Sequence, residues 1–184
     1  MNYDIMSASE STCHMIDERR NAIVSRFAHD IMNSPIGELL ICEENGYITQ
    51  IRFFHPEDNC DLKKSERKRT PLIEKCMLQL TEYFEGKRIE FDLPLNPSGT
   101  EFQKKDWAAL QKIPYGQTCS YKDIAIAIGN EKACRAVGMA NHNNPISIVI
   151  PCHRVVGADG SLTGYGGGLH IKKYLLELEQ KYNK

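Results

Sequence analysis

Residues 148–156 read Ile-Val-Ile-Pro-Cys-His-Arg-Val-Val, and this stretch restricts how the chain can fold. Three β-branched apolar residues in a row are typical of a strand that is buried on both faces, so they predict a core built around them. Pro151 would end that strand, and three reactive side chains follow it. A buried strand that ends in reactive side chains is a common way to hold a nucleophile rigidly, and Cys152 is the candidate. For these residues taken alone, a structural cysteine at the end of a strand is the more common case.

The overall charge is close to neutral, with 23 basic and 24 acidic residues and a net charge of -1. Any DNA-binding face must therefore be local. Residues 1–20 lack the apolar core of a signal peptide, and no stretch reaches the roughly 18 to 20 apolar residues of a membrane span. Seven irregularly spaced cysteines then indicate free thiols in a reducing compartment. We expect a cytoplasmic protein, nuclear in a eukaryote, with no membrane partner.

The first half of the chain, residues 1–96, predicts a small α/β domain. Residues 1–24 have mixed charge and no clear period. They are interpreted as a mobile segment, or as the approach to a strand that starts at Ile23 and Val24. Asn45-Gly46 predicts a type I′ hairpin turn, because both residues tolerate positive φ. Apolar residues on either side of that turn predict an antiparallel sheet of about three strands.

One helix and a short strand are predicted after this sheet. Pro71 suits the first turn of a helix whose apolar face ends near Gly86. Apolar residues alternate over Phe91–Leu95 and predict a strand. Asn96-Pro97-Ser98-Gly99 breaks the pattern, so the second domain is placed at 97–184.

Two features of the first half are weighed as binding sites. The basic run Asp61–Arg69 is interpreted as a solvated loop, with a phosphate contact as the alternative. Cys13-His14, His29 and Cys42 match no standard zinc spacing, so no metal site is predicted.

The second domain is predicted to be mostly helical, with a helix-turn-helix pattern. Thr100 and Gln103 form a capping-box pattern at the start of its first helix. Ser120 would cap a second helix, whose apolar face includes Ile124 and Ala127. Two short helices joined by a tight glycine turn are the helix-turn-helix signature.

A third helix is predicted over 131–140, with Asn130 as its N-cap, and a helix start is a natural phosphate site. Ala136 is assigned to its buried side. Arg135 is the cation in the middle of this helix, which is otherwise lined by small residues that permit close approach to another surface. Arg135 is therefore placed to reach phosphates or to enter a base stack. The alternative is a small-residue packing seam with Arg135 in solvent.

The end of the chain completes the candidate site. Residues 157–168 contain six glycines, with Tyr165 as the one aromatic residue. Such a segment permits close backbone approach to a ligand, and a surface loop is the alternative. A final helix follows, because Ile171, Leu175 and Leu178 fall on one helical face.

The motif Pro151-Cys152-His153-Arg154-Val155 closely resembles the active-site motif of the O6-alkylguanine-DNA alkyltransferases. Further matches in order and spacing cover residues 100–180; they are Gly116, Ser120-Tyr121, Arg135-Ala136-Val137-Gly138, Asn144, Gly164-Tyr165, Leu175-Leu176 and Glu179. The first half matches more weakly, through Ser34-Pro35-Ile36-Gly37 and the hairpin. The resemblance implies a two-domain α/β fold, in which a ribonuclease H-like domain precedes the helical one.

The resemblance also implies direct repair of duplex DNA. Cys152 would accept the alkyl group of O6-alkylguanine, and O4-alkylthymine is a second expected substrate. The target base would be flipped out of the helix. A thioether product has no carbonyl for water to attack, so one irreversible turnover would consume the protein. We expect a monomer that needs no cofactor and acts on double-stranded DNA.

Individual roles are carried over from the family in the same way. His153 would be the base that activates Cys152 through a bound water, Glu179 would orient it, and Asn144 would brace the active-site turn. Arg135 would enter the duplex in place of the extruded base. The expected DNA contacts are Ser120, Tyr121, Asn130, Arg135 and Ala136, and the expected pocket residues are Tyr121, Val155, Tyr165 and Gly166.

Two positions depart from the family pattern. Asp106 stands where the relatives usually carry an apolar residue, so either the helix is rotated there or the carboxylate reaches solvent at an edge. Gly166 replaces a serine found in some relatives, which predicts a roomier pocket lip and tolerance of larger alkyl groups. The alternative functions are a DNA-binding module without transfer, which the presence of Cys152 disfavours, and a cysteine hydrolase.

Overall fold

The computed structural model describes residues 27–55 and 66–183, and its first half is built on a four-stranded sheet in the order β3-β2-β1-β4. The strands are β1 (Phe27–Ser34), β2 (Gly37–Glu44), β3 (Tyr47–Phe53) and β4 (Glu66–Arg67). The first three are antiparallel, as predicted, and β4 runs parallel to β1. The interpretations of residues 1–24, Cys13-His14 and the first part of the basic run lie outside the described residues.

The hairpin between β2 and β3 has the predicted turn. Asn45 has φ 53° and Gly46 has φ 81°, which is the pair of positive values that a type I′ turn requires. The described end of the basic run is tied to the sheet, since Arg67 and Arg69 both pair with the buried carboxylate of Asp30.

Helix α1 (Pro71–Phe84) is capped by the Thr70 side chain, which accepts a hydrogen bond from the Ile73 amide. The strand predicted over Phe91–Leu95 is wrong. This segment meets β3 at a single bridge to Ile48, because Pro94 has no N–H to donate to a ladder.

The second half contains α2 (Glu101–Leu110), β5 (Cys119–Ser120), α3 (Tyr121–Ala127), α4 (Cys134–His142), a 3₁₀ turn (Cys152–Arg154), β6 (Val155–Val156) and α5 (Leu169–Tyr182). The capping box of Thr100 and Gln103 is present at α2. A second one, formed by Ser120 and Asp123, begins α3. Strands β5 and β6 pair in parallel.

The prediction for the third helix is wrong in three respects. Helix α4 begins at Cys134, and Asn130 does not cap it. The Asn130 carbonyl instead accepts from the Ala133 amide, so the residues between them form a turn that takes the place of the first helical turn. Ala136 is exposed rather than buried. In the preceding helix, α3, the predicted apolar-face residue Ala127 is also exposed, and Ala125 is buried instead.

The strand predicted before Cys152 is also wrong, although its residues are buried. Ile146 to Ile150 form a tight turn, in which the Ile150 amide donates to the Ile146 carbonyl. Ile148 has φ 73°, an uncommon value for a β-branched residue, and its side chain is nearly inaccessible. The apolar, β-branched composition of these residues therefore correctly predicted that they are buried. Local hydrogen bonds, however, determine the conformation of their backbone.

One apolar core joins the sheet to the helices and includes Ile51, Trp107, Val137, Cys152 and Leu175. Strand β3 lies against the turn before the cysteine, and Ile51 exchanges backbone hydrogen bonds with that turn. In the described ranges, no helix combines the length and the apolarity needed to cross a membrane.

Candidate active site

Asn144 organises the turn that carries Cys152. Its Nδ2 donates to the Ile150 carbonyl at 2.8 Å and to the Cys152 Sγ at 3.2 Å. Its Oδ1 accepts from the Ile146 amide at 3.0 Å. The amide therefore connects both ends of the turn and points a donor at the sulfur.

Cys152 is 6% exposed, and this burial raises the pKa of its thiol. The Asn144 hydrogen bond and the charge of Lys172 act in the opposite direction, because both favour the thiolate. Burial prevails, so the resting group is a thiol. A thiol is a weak nucleophile, and the site therefore needs a base.

His153 supplies a neutral imidazole. Its Nε2 lies 2.8 Å from Glu179 Oε1, and burial lowers the pKa of the ring despite that carboxylate. In the neutral ring Nε2–H donates to Glu179, which leaves the lone pair on Nδ1. The Nδ1 atom is buried and has no hydrogen-bond partner among the described residues. An imidazole with an open ring nitrogen is suited to accept a proton.

Glu179 is the centre of the hydrogen-bond network behind the turn. Arg154 donates to both of its oxygens, Tyr83 donates its hydroxyl at 2.8 Å, and the Gly116 amide donates at 3.0 Å. Burial alone would raise the pKa of Glu179. The hydrogen bonds and charges of His153 and Arg154 outweigh it and hold the pKa at about 2. The carboxylate is therefore ionised.

Lys172, like Tyr83 and Arg154, was assigned no role from the sequence. It is fully buried, and its Nζ donates to the carbonyls of Val155 at 2.6 Å and Thr163 at 2.9 Å. This ammonium thus ties β6, directly before the glycine-rich segment, to Thr163 in the middle of that segment. The sequence signal that could have identified Lys172 is its spacing from Leu175 and Glu179, because these three positions share one helical face.

A cavity of about 460 Å³ opens beside Cys152. It is lined by Asn144 and Gly166, and by Arg52 and Phe53 from β3. None of its lining residues is acidic; the others are Gln50, His55, Asn141, His142, Asn143, Pro145 and Ser147. The contribution of β3 was not predicted, because it depends on contacts between distant parts of the chain.

The predicted pocket residues are only partly brought together. Gly166 is exposed at the cavity, and Tyr165 packs edge-on against Phe53 with its hydroxyl buried and unpartnered within the described structure. Val155 is buried in β6. Tyr121 lines a neighbouring cavity of about 320 Å³, where its hydroxyl accepts a hydrogen bond from Thr163 at 3.0 Å.

The predicted DNA contacts lie on and around the helix-turn-helix. Asn130, Arg135 and Ala136 are exposed, whereas Ser120 and Tyr121 are half-buried. Arg135 stands in the first turn of α4 rather than in its middle, because the helix begins later than predicted.

Two models of one protein family match most of the chain. The ribonuclease-like domain of 6-O-methylguanine DNA methyltransferase matches residues 28–97, and its DNA binding domain matches residues 101–181. The chain belongs to the 6-O-methylguanine DNA methyltransferase family. The predicted fold class, a small α/β domain followed by a mostly helical one, is confirmed.

Curated members of this 6-O-methylguanine DNA methyltransferase family are similar over most of their length. The methylated-DNA–protein-cysteine methyltransferase of Methanosarcina barkeri is 46% identical over 83% of this chain and 96% of its own. The constitutive one of Bacillus subtilis is 49% identical over 80% of this chain and 92% of its own. A crystal structure of Mycobacterium tuberculosis OGT in complex with DNA superposes with a TM-score of 0.77, at 43% identity over 84% of this chain and 94% of that one.

Asp106 lies where neither expectation from the sequence placed it. The carboxylate does not reach solvent, and the helix is not rotated outward, because Asp106, Trp107 and Leu110 all face the interior. Asp106 is fully buried, and neither of its oxygens has a hydrogen-bond partner among the described residues. Both expectations for this residue are therefore wrong.

No metal centre is evident in this family member at residues 27–55 and 66–183, where no three metal-binding side chains cluster. The untested candidates Cys13-His14 fall outside those ranges.

Proposed function

We propose that this chain repairs double-stranded DNA by moving the alkyl group of O6-alkylguanine, and also of O4-alkylthymine, to Cys152. The observation that carries the proposal is the buried thiol beside a neutral His153 with an open Nδ1, in a chain of this family. A monomer is sufficient, since every proposed catalytic group comes from one chain. A reducing cytoplasm would keep the thiol free.

The transfer is a displacement at the alkyl carbon. The thiol proton passes through a bound water to His153 Nδ1, and the Cys152 sulfur forms the new S–C bond. The C–O bond breaks, and its electron pair stays on the base, which regains a proton in its unmodified form. Glu179 stabilises the imidazolium that forms in between. Asn144 holds the turn in place and directs an N–H at the developing thiolate.

The product is a thioether. It offers water no carbonyl to attack, so the sulfur is not regenerated and each protein acts once. This outcome separates the proposal from a cysteine hydrolase, which would turn over repeatedly and would need an oxyanion hole.

The target oxygen lies within the base stack, so the nucleotide must be flipped out at a cost of a few kcal/mol. Arg135 is exposed on α4 and is proposed to fill the gap. Ser120, Asn130 and Ala136 would contact the backbone around it. Tyr121, Val155, Tyr165 and Gly166 are proposed to enclose the flipped base, which requires the Tyr121–Thr163 contact to adjust.

The deciding experiment incubates the protein with duplex DNA that carries labelled O6-methylguanine. We expect one equivalent of label on the protein, complete loss in Cys152→Ala, and retention in the control Cys119→Ala. If the wild type bound the DNA but transferred no label, the proposal would be wrong, and the chain would be a DNA-binding module without transfer activity. Release of more than one equivalent of label would instead indicate a hydrolase.

A further inference from the structure

Tyr83, in the last turn of α1, contacts Glu179 on α5. Its hydroxyl donates to Oε1 of that carboxylate at 2.8 Å, and both side chains are completely buried. Tyr83 lies in the part of the chain that matches the ribonuclease-like domain, whereas Glu179 lies in the part that matches the DNA binding domain. This hydrogen bond therefore connects the two family domains at the proposed active site.

The Tyr83 hydroxyl shares its acceptor with the proposed base. Glu179 Oε1 also lies 2.8 Å from His153 Nε2. Arg154 Nη2 donates to the same oxygen at 2.9 Å, whereas the Gly116 amide donates to Oε2. A carboxylate oxygen offers about two lone-pair sites, so three donors compete for the negative charge on Oε1. Less of that charge is therefore left to stabilise a second proton on the His153 ring.

The Tyr83 hydroxyl is a neutral donor. Burial and the charge of Glu179 raise its pKa well above the ordinary value, so the hydroxyl keeps its proton. Burial and the charges of Arg154 and Lys172 lower the pKa of His153, and Glu179 raises it. The titratable and charged groups that face this carboxylate–imidazole pair are Tyr83 on α1, Tyr115 after α2, Cys152 and Arg154 on the 3₁₀ turn, Tyr165 in the glycine-rich segment and Lys172 on α5. The balance at His153 thus depends on how strongly Glu179 attracts a proton.

Tyr115 offers a natural comparison with Tyr83. The two rings pack edge-on, with their centroids 6.1 Å apart. The Tyr115 hydroxyl is also buried, but it has no hydrogen-bond partner among the described residues. Two tyrosines in contact therefore differ in what their hydroxyls bind, and removing each hydroxyl in turn isolates the contact with Glu179.

We propose that Tyr83 is a positioning residue for alkyl transfer, whose hydroxyl occupies Glu179 Oε1 so that the carboxylate orients His153 without protonating it. The proposal rests on the transfer reaction proposed above. It gives the ribonuclease-like domain a part in the chemistry, because a hydroxyl in that domain keeps a base in the other domain ready to accept a proton.

The test compares Tyr83→Phe with Tyr115→Phe in the full-length protein. NMR titration of the His153 ring measures its pKa, and label transfer from O6-methylguanine DNA is followed over the same pH range. We expect Tyr83→Phe to raise the pKa of His153 by about half a unit to one unit, which slows transfer about three- to tenfold below that pKa. At alkaline pH, where His153 is neutral in both proteins, the rates of Tyr83→Phe and the wild type should agree. Tyr115→Phe should match the wild type throughout.

An unchanged His153 titration in folded Tyr83→Phe would overturn the proposal and leave the hydroxyl a role in stability alone. The wild type allows a second measurement that does not depend on the folding of a variant. The Tyr83 hydroxyl proton is buried in a hydrogen bond, so it should exchange slowly enough to be detected by NMR. Its chemical shift should follow the titration of His153, because both groups share Oε1, and a shift that does not respond would equally contradict the proposal.

The same experiments distinguish this proposal from the proposed function. A wild type that transfers no label would refute the transfer reaction. The NMR titrations of His153 and of the Tyr83 hydroxyl would still decide whether Tyr83 controls the protonation of the ring.

Discussion

Glu179 Oε1 lies 2.8 Å from His153 Nε2, and both side chains are completely buried. Because the same carboxylate also pairs with Arg154, it stays ionised without protonating the imidazole. One acid thus fixes the tautomer of the proposed base and neutralises a buried cation. Substitutions at Glu179 will combine these two effects, and the experiments have to separate them.

Replacing Glu179 with Gln should both slow transfer and destabilise the fold. The variant leaves the Arg154 guanidinium buried without its counter-charge, which typically costs about 3 to 5 kcal/mol. Chemical denaturation and the rate of label transfer measure the two losses. Glu177→Gln, on the exposed side of α5, should change neither.

The double variant Glu179→Gln/Arg154→Met removes the stranded cation as well. We expect it to recover much of the lost stability and to remain slow in transfer, since His153 still lacks its carboxylate. Full recovery of the transfer rate would mean that Glu179 acts through stability alone, and its proposed orienting role would be wrong.

Asp106 should make the protein less stable as pH rises. Its pKa is about 7 in the folded state, above the ordinary value of 3.8, so unfolding releases a proton between these values. The stabilisation is fully present below about pH 4 and is lost as pH rises through about 7. Denaturation midpoints measured at several pH values should show that the stability of Asp106→Asn falls less with rising pH than that of the wild type. Parallel curves would contradict the assigned pKa.

Arg135→Ala should weaken repair of duplex DNA far more than reaction with free O6-benzylguanine, because only the duplex has a base to extrude. The rates of reaction with both substrates, measured under the same conditions, give this difference. Lys132→Ala removes a neighbouring exposed cation and should reduce both reactions little. An equal loss on both substrates in Arg135→Ala would refute the extrusion role.

Gly166→Ser should narrow the cavity lip without disturbing the fold, since a Cβ there meets no atom within 4 Å. We expect the variant to slow transfer of benzyl groups more than methyl groups. Gly167→Ala is the contrasting case, because its Cβ would lie 2.5 Å from the Phe53 ring and should lower the melting temperature. Equal rates on both adducts in Gly166→Ser would exclude the lip as a determinant of alkyl size.

Local chemistry made parts of the fold predictable. The type I′ turn at Asn45-Gly46, the capping box at Thr100 and the N-cap at Ser120 each depend on a few neighbouring residues, and all three are present. Family resemblance named His153 and Glu179, which lie together although 26 positions separate them.

Features that depend on distant contacts escaped prediction. Ile148 was placed in a strand because its composition suits one, but the turn braced by Asn144 sets its backbone. Asp106 was expected to avoid the interior because burial of an acid is costly, and its retained proton removes most of that cost. The sequence identified Arg154 only as part of the cysteine motif. The folded structure shows that its guanidinium donates hydrogen bonds to Glu179.

The contact of β3 with the turn before Cys152 has a consequence for cooperativity. Ile51 is hydrogen-bonded to that turn, and Phe53 packs on Tyr165, so neither family domain encloses its apolar surface alone. A fragment cut between the two domains would lose part of the core that supports the nucleophile. The intact chain should therefore melt in a single calorimetric transition, with loss of the sheet and loss of the reactive thiol environment occurring together.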